Sequence, residues 1–267
     1  MTYSSFIKVV LEDASQIANE KFGKVSGFVK SDDNNQVLTE ADLAIGKLIV
    51  EKIKKEYPHY NVIDEESGVI DNGSAFTWVV DPIEATSNFA AGLPQYGIMI
   101  GLLENDKPIA GGITVPAYKK LYLAEKGKGA TCNGMLMHVT NEKNLYNVLI
   151  AFSADGHPED PERTRREYAY LAEIALAARN TRNNNCEAVD TMYVAEGRYG
   201  GRINLASKIW DNVAPQIMIE EAGGVYTDFF GKPIDYSNPL TRVKDNFTFC
   251  AASPVLHQQL QEIIHHP

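Results

Sequence analysis

Apolar side chains at Phe6, Val9, Val10, Ala14, Ile17 and Ala18 recur at the three- and four-residue spacing of one helix face, which predicts an amphipathic helix over residues 5–21 that ends near Gly23. The pattern then lapses: residues 31–36 hold no apolar anchor and read as a mobile polar loop. A second helix opens at residues 37–42, with Thr39 as its N-cap, Glu40 and Asp42 as first-turn acids, and Leu43, Ile45, Leu48, Ile49 and Ile53 as its buried side. Taken alone, Asp42 reads equally well as compensation of the helix dipole. Asn61-Val62-Ile63 begins as an extended apolar run and meets three consecutive acids, Asp64-Glu65-Glu66. After a turn signal at Asp71-Asn72-Gly73, Trp78-Val79-Val80 reads as the end of a buried strand. That strand should stop at or just beyond Asp81, because Pro82 has no N–H to give a sheet. Adjacent strands would then deliver both acidic ends to one place.

From residue 96 to 134 short apolar runs alternate with turns, among them Asn105-Asp106 and Asn133-Gly134, and the pattern predicts an antiparallel meander. A strand over 148–152, a polar loop over 153–161, a helix over 162–179, a helix over 186–196 and a strand over 200–205 follow. Ile209-Trp210-Asp211 leads into a helix closed by Gly223-Gly224, then come strands at 225–227 and 247–252 and a last helix from Pro254. Asp211 at a helix start is naturally an N-cap. His157, before a proline in the polar loop, reads as an exposed and incidental histidine. The chain is expected to form one unit over residues 1–267, with a soft division between 1–145 and 146–267.

Composition narrows the partners. A formal net charge of −10 argues against nucleic acid and against an anionic membrane surface. There is no run of about 18 apolar residues and no basic-then-apolar leader. The three cysteines, Cys132, Cys186 and Cys250, fall in no metal-ligand spacing and suit reduced thiols. The expectation is a cytoplasmic, unexported protein with neither nucleic-acid nor membrane partner.

The chemistry concentrates at Asp81-Pro82-Ile83-Glu84-Ala85-Thr86-Ser87-Asn88. Asp81 and Glu84 stand at a strand's carboxyl end, directly before small residues whose backbone N–H groups suit an anion. Two acids beside an anion nest repel each other and the anion. A divalent cation such as Mg²⁺ resolves the conflict, since it takes carboxylate and phosphate oxygens together.

Four motifs in order, Thr39-Glu40-Ala41-Asp42, Asp64-Glu65-Glu66-Ser67, the Asp81 to Phe89 stretch, and Trp210-Asp211 followed by Glu221-Ala222-Gly223-Gly224, resemble the inositol monophosphatase family over residues 30–224. That family comprises Mg²⁺-dependent, lithium-sensitive phosphomonoesterases related to fructose-1,6-bisphosphatases. The resemblance implies an α/β fold of layered, alternating helices and mixed, largely antiparallel sheets, and a homodimer. It implies two or three Mg²⁺ ions. Glu65, Asp81 and the Ile83 carbonyl would hold the first, and Asp81, Glu84 and Asp211 the second. Asp42 would hold the water ligands of a weaker third. The amides of Ala85 and Thr86 would receive the phosphate, and the Thr86 hydroxyl with Glu65 would orient the attacking water. The reaction implied is hydrolysis of a small phosphorylated metabolite.

Two positions depart from the family pattern: Glu84 stands where Asp is usual and Ala85 where Gly is usual. Glu sets its carboxylate roughly an ångström further out, which favours a more permissive ion such as Mn²⁺. Ala85 makes any positive φ costly. The alternative reading is therefore an impaired member that binds a phosphorylated metabolite or a protein. Asn204 occupies the position at which inositol-hydrolysing members carry an acid for sugar hydroxyls. Lys208 and Arg202 add positive charge for a second phosphate or a carboxylate, or are plain surface cations. Fructose 1,6-bisphosphate, another sugar phosphate, histidinol phosphate and a nucleotide 3′-phosphate all stay open.

Overall fold

Two β-sheets alternate with three layers of helices, and the cleft described below opens where strand ends of both sheets meet the middle helical layer. The computed structural model describes residues 2–24, 27–30 and 33–266. In chain order the elements are α1 (Tyr3–Lys21), β1 (Phe28–Lys30), β2 (Asp33–Leu38), α2 (Glu40–Glu56), β3 (Asn61–Asp64), β4 (Gly68–Ile70), β5 (Phe76–Glu84), α3 (Thr86–Ala90), β6 (Gly97–Glu104), β7 (Lys107–Val115), β8 (Lys120–Glu125), β9 (Ala130–Cys132) and β10 (Met135–Leu136). The second half adds β11 (Leu149–Ser153), α4 (Pro161–Ala177), β12 (Asn180–Arg182), α5 (Glu187–Ala195), β13 (Gly201–Ser207), α6 (Val213–Glu221), β14 (Val225–Thr227), β15 (Phe247–Ala252) and α7 (Pro254–His265).

The first sheet has eight strands in the order β10-β9-β8-β7-β6-β5-β3-β4. Its pairs are antiparallel except β3 with β5, which run parallel with Asp64 opposite Val80. The second sheet has the order β12-β11-β13-β15-β14; its first three strands are parallel and β15 is antiparallel to both its neighbours. Helices α1 and α2 cover one face of the first sheet, packing Ile7, Leu11, Ile45 and Ile49 against Trp78, Val80 and Ile100. Helices α5 and α6 fill the space between the sheets, where Val189, Met192 and Ile217 meet Met99, Ile113 and Phe249. Outside the second sheet, Ile174 of α4 and Leu256 and Leu260 of α7 lie on Phe152, Ile203 and Leu205. This is the layered α/β arrangement that the resemblance implies. Among the described residues no helix is long and apolar enough to cross a membrane.

Several elements differ from expectation. Residues 33–36 lie in β2, paired antiparallel with β1, rather than in a loop, and residues 31 and 32 of that polar stretch fall outside the described residues. A two-stranded ribbon is held by backbone hydrogen bonds, which apolar spacing does not register. Strand β5 does not stop at Asp81. It runs on to Glu84 through an irregularity in which Asp81 opposes Met99 and Glu84 opposes Gly97, so Pro82 and Ile83 together face Ile98. A bulge leaves one residue unpaired, and Pro82 is tolerated there because no ladder bond is asked of it. The turns at Asn105-Asp106 and Asn133-Gly134 carry positive φ at both residues, as two-residue hairpin turns require.

Candidate active site

Alternation along β5 decides which side chains reach the cleft. Trp78 and Val80 point into the layer of α1 and α2, while Val79 points the other way, against Ile209 and Val213. Asp81 follows on the same face as Val79, toward the 3₁₀ turn Ile209–Asp211. The parallel partner β3 ends alongside it, and the Glu65 amide donates to the Val80 carbonyl at 3.2 Å. Three distant pieces of chain thus converge: Glu65 after β3, Asp81 and Glu84 on β5, and Asp211 before α6. All four acids line one cleft of about 740 Å³, together with Ile83, Ala85 and Thr86.

These carboxylates are crowded and dry. Asp81 is 2% exposed, and its Oδ1 is buried with no hydrogen-bond donor among the described residues. Burial, and then the charges of Glu65, Asp211 and Glu84, push its carboxyl well above the usual range. Asp211 is raised as well, by burial and then by Glu84, although its Oδ2 accepts the Lys208 amide at 2.6 Å. Burial and the neighbouring Glu187 charge push Glu84 up to about 7. An all-oxygen donor set of this kind, with an orphaned buried oxygen at its centre, fits a hard divalent cation, whose charge would relieve both the repulsion and the orphan. Among the described residues no three acidic, histidine or cysteine side chains are already gathered as a ligand set. Part of the reason is that two carboxylates are held elsewhere: Asp211 by its own N-terminal turn and Glu84 by α5. Glu84 Oε2 accepts the Cys186 thiol at 3.0 Å and the Ala188 amide at 3.1 Å. The extra methylene of Glu is what carries this carboxylate across to that helix.

At the start of α3 the chain turns through Ala85 at φ 63° and ψ 49°, the left-handed region that favours glycine. Ala85, Thr86 and Ser87 line the cleft at this turn, and the first amides of α3 have no intrahelical acceptor. The Thr86 hydroxyl lies 2.8 Å from the Ile83 carbonyl and 3.0 Å from Asp42 Oδ1. Asp42 itself is fully buried behind Thr86. Its Oδ2 accepts the Thr39 amide and hydroxyl and completes a capping box at the start of α2. Asp42 is not among the residues that line the cleft; its Oδ1 accepts the hydroxyl of Thr86, which does line it. Burial raises its carboxyl, against the lowering pull of Thr39 and Thr86.

The residues expected to touch the rest of a substrate divide. Asn204 and Lys208 line the cleft, but the Lys208 ammonium is bound to the Lys244 and Asp245 carbonyls at 2.9 and 3.4 Å. Arg202 does not reach the cleft. It is fully buried beneath it and paired with Glu187, so it offers no positive charge to a ligand. His157 is neither exposed nor isolated: its ring nitrogens lie 3.4 Å from Glu159 and from Glu167, and it lines the cleft mouth with Arg163. Sequence reasoning missed Glu187, Cys186 and Arg163. They stand in helix starts of ordinary composition, and only the layer packing brings them here.

Comparison with known proteins agrees with this geometry. The model of the inositol monophosphatase family matches residues 3–265. The chain is 30% identical to the fructose-1,6-bisphosphatase/inositol-1-monophosphatase of Aquifex aeolicus, over 88% of this chain and 89% of that one. It is 32% identical to the Nus factor SuhB of Xylella fastidiosa, over 72% and 69% of the two chains. Among solved structures, the extragenic suppressor protein suhB of Bartonella henselae superposes with a TM-score of 0.86 at 26% identity, covering 98% of each chain.

Proposed function

The chain belongs to the inositol monophosphatase family, and from that premise we propose that it hydrolyses a small phosphate monoester by attack of water. The observation that carries the reading is the convergence of Glu65, Asp81 and Asp211, from three separate segments, around a buried carboxylate oxygen without a donor. Glu65, Asp81, the Ile83 carbonyl, Glu84 and Asp211 would hold Mg²⁺, two or three ions to a site, or Mn²⁺. Bound there, such ions neutralise phosphate charge and make water a better nucleophile near neutral pH. The protein's own groups do the rest. The amides of Ala85 and Thr86 receive the phosphate oxygens, and the Thr86 hydroxyl, oriented by Asp42, works with Glu65 to direct the attacking water. The expected setting is the cytoplasm and the expected assembly a homodimer.

The second reading, a non-catalytic module that binds a phosphorylated metabolite or a protein, is favoured by the attachment of Glu84 to α5. Phosphate release from a panel of sugar and polyol phosphates with Mg²⁺ or Mn²⁺ separates the two. The hydrolase should turn over at least one substrate, be blocked by EDTA and by Li⁺, and lose about 10²-fold or more in kcat on Asp81→Asn. Silence across the panel, unrelieved by Glu84→Asp with Ala85→Gly, selects the binding module.

A further inference from the structure

The start of α5 is capped from another element. Cys186 stands at the N-cap position, yet its side chain makes no cap hydrogen bond to its own helix. A carboxylate from β5 takes the first-turn amide instead: Glu84 Oε2 accepts the Ala188 N–H at 3.1 Å and the Cys186 thiol at 3.0 Å. With Glu84 ionised, as a metal ligand must be, the thiol is the donor. A carboxylate oxygen has about two lone-pair positions, so these two donors fill Oε2. Neither bond falls on Oε1. Glu84 also lines the cleft together with Asp81, whose Oδ1 is buried with no donor among the described residues. The two donors are fixed. Cys186 and Ala188 are both fully buried, packed in the middle layer with Val189, Met192 and Phe249, so they do not follow the carboxylate if it turns. Toward a cation, Glu84 therefore has one oxygen to offer. That restriction bears on the choice of ion. Mg²⁺ asks for near-ideal octahedral geometry at about 2.0–2.1 Å, which single carboxylate oxygens satisfy, whereas Ca²⁺ takes about six to eight oxygens at about 2.3–2.6 Å and accepts both oxygens of one carboxylate. The brace on Oε2 withholds the two-oxygen mode, and the longer arm of Glu is thereby kept from making the site permissive.

We propose that Cys186 is a positioning residue for the cation site: with the Ala188 amide it holds Glu84 to ligation through one oxygen, and so selects Mg²⁺ against Ca²⁺. The proposal rests on the cation reading of the same cleft, and its test reads binding rather than turnover. The full chain, stripped with EDTA and dialysed, is titrated by calorimetry at pH 8 with MgCl₂ and with CaCl₂. Cys186→Ala frees Oε2 and should shift the ratio of the two dissociation constants toward Ca²⁺ about 10-fold, the low end of what losing a hydrogen-bond partner of a metal ligand does to affinity. Cys186→Ser keeps a donor at the same place and should hold the wild-type ratio. If Cys186→Ala does not fold, Ala188→Pro takes its place, removing the other donor of Oε2 in a first turn that tolerates proline, with the same shift expected. In a Glu84→Asp background, where the shorter side chain falls short of α5, Cys186→Ala should leave the ratio unmoved. A loosened fold would weaken both ions together and leave their ratio alone, so an unmoved ratio in Cys186→Ala, or in Ala188→Pro where that variant decides, overturns the proposal. A shift that appears equally in Cys186→Ser overturns it as well. Wild-type protein that binds neither ion overturns it together with the cation reading. The expected ratios without phosphate release from any substrate of the panel sustain it and sink the hydrolase reading alone.

Discussion

Ala85 holds a left-handed backbone at φ 63° in the middle of the residues that would receive phosphate, and this is where the chain departs from glycine. The conformation costs a β-carbon residue roughly 1–2 kcal/mol, whereas Ala→Gly elsewhere loses about 0.4–1 kcal/mol through the freer unfolded chain. The strain term is the larger, so Ala85→Gly should leave the melting temperature unchanged or raise it, by up to about 1 kcal/mol of stability. A clear drop on thermal denaturation would mean that the turn carries no strain. Its neighbour Glu84 sets a pH dependence. Burial raises its carboxyl from 4.5 to about 7, so the folded protein prefers this group protonated. The penalty for its charge is fully present above pH 7 and is relieved as pH falls from 7 toward 4.5. Metal binding runs the opposite way, because a ligand carboxylate must be ionised. Apparent Mg²⁺ affinity, measured by calorimetry, should therefore fall as pH drops from 8 through 7 to 6, with proton release on binding that Glu84→Gln reduces.

The N-terminus of α5 binds the two halves of the cleft together, because its Ala188 amide and the Cys186 thiol before it hold Glu84 of β5. That contact depends on Gly97, the partner of Glu84 in the sheet. A Cβ on Gly97 would stand 2.3 Å from the Ala188 Cβ and 2.9 Å from the Thr114 carbonyl. Gly97→Ala should push α5 off the sheet, cost on the order of 1–3 kcal/mol in chemical denaturation, and weaken metal affinity although it touches no ligand. Full retention of affinity would mean that α5 does not position Glu84. This junction also marks the limit of what the chain discloses in one dimension. The helices, the hairpin turns and the parallel ends of β3 and β5 were legible because apolar periodicity and turn residues are local. Glu65, Asp81 and Asp211, which line one cleft, could be named together only through the resemblance of four ordered motifs, since Asp211 taken alone reads as an N-cap. The burial of Arg202 was not legible: whether a cation on a strand meets solvent or a carboxylate depends on which helix covers it. The passage of β5 through Pro82 was hidden for a similar reason, since the bulge is a property of the pairing with β6 rather than of Pro82 itself.

At the scale of the whole molecule, five alternating layers bury a set of like charges close together. Each of Asp81, Asp211 and Glu84 has its carboxyl raised, in every case by burial first, and the protein as a whole carries a net charge of −10. Folding the metal-free chain near neutral pH therefore works against its own site, as expected where stability is given up for a function that needs another component. Removing the central charge separates the two demands. Asp81→Asn keeps the shape, deletes a carboxylate that burial and the charges of Glu65, Asp211 and Glu84 penalise, and gives the buried position an amide that can donate to those acids. Without metal at pH 7.5, the variant should melt above the wild type, by about 2–4 °C for each kcal/mol of relieved repulsion. With saturating Mg²⁺ the order should reverse. The wild type should gain RT ln(1 + [Mg²⁺]/Kd), which is about 2.7 kcal/mol at 100 times Kd, and the variant should gain little if Asp81 is the ligand proposed above. Melting curves of both proteins, with EDTA and with Mg²⁺, contain the whole test. A variant that is less stable in EDTA would show that Asp81 stabilises the fold rather than straining it, and a variant that keeps the full Mg²⁺ shift would remove Asp81 from the ligand set.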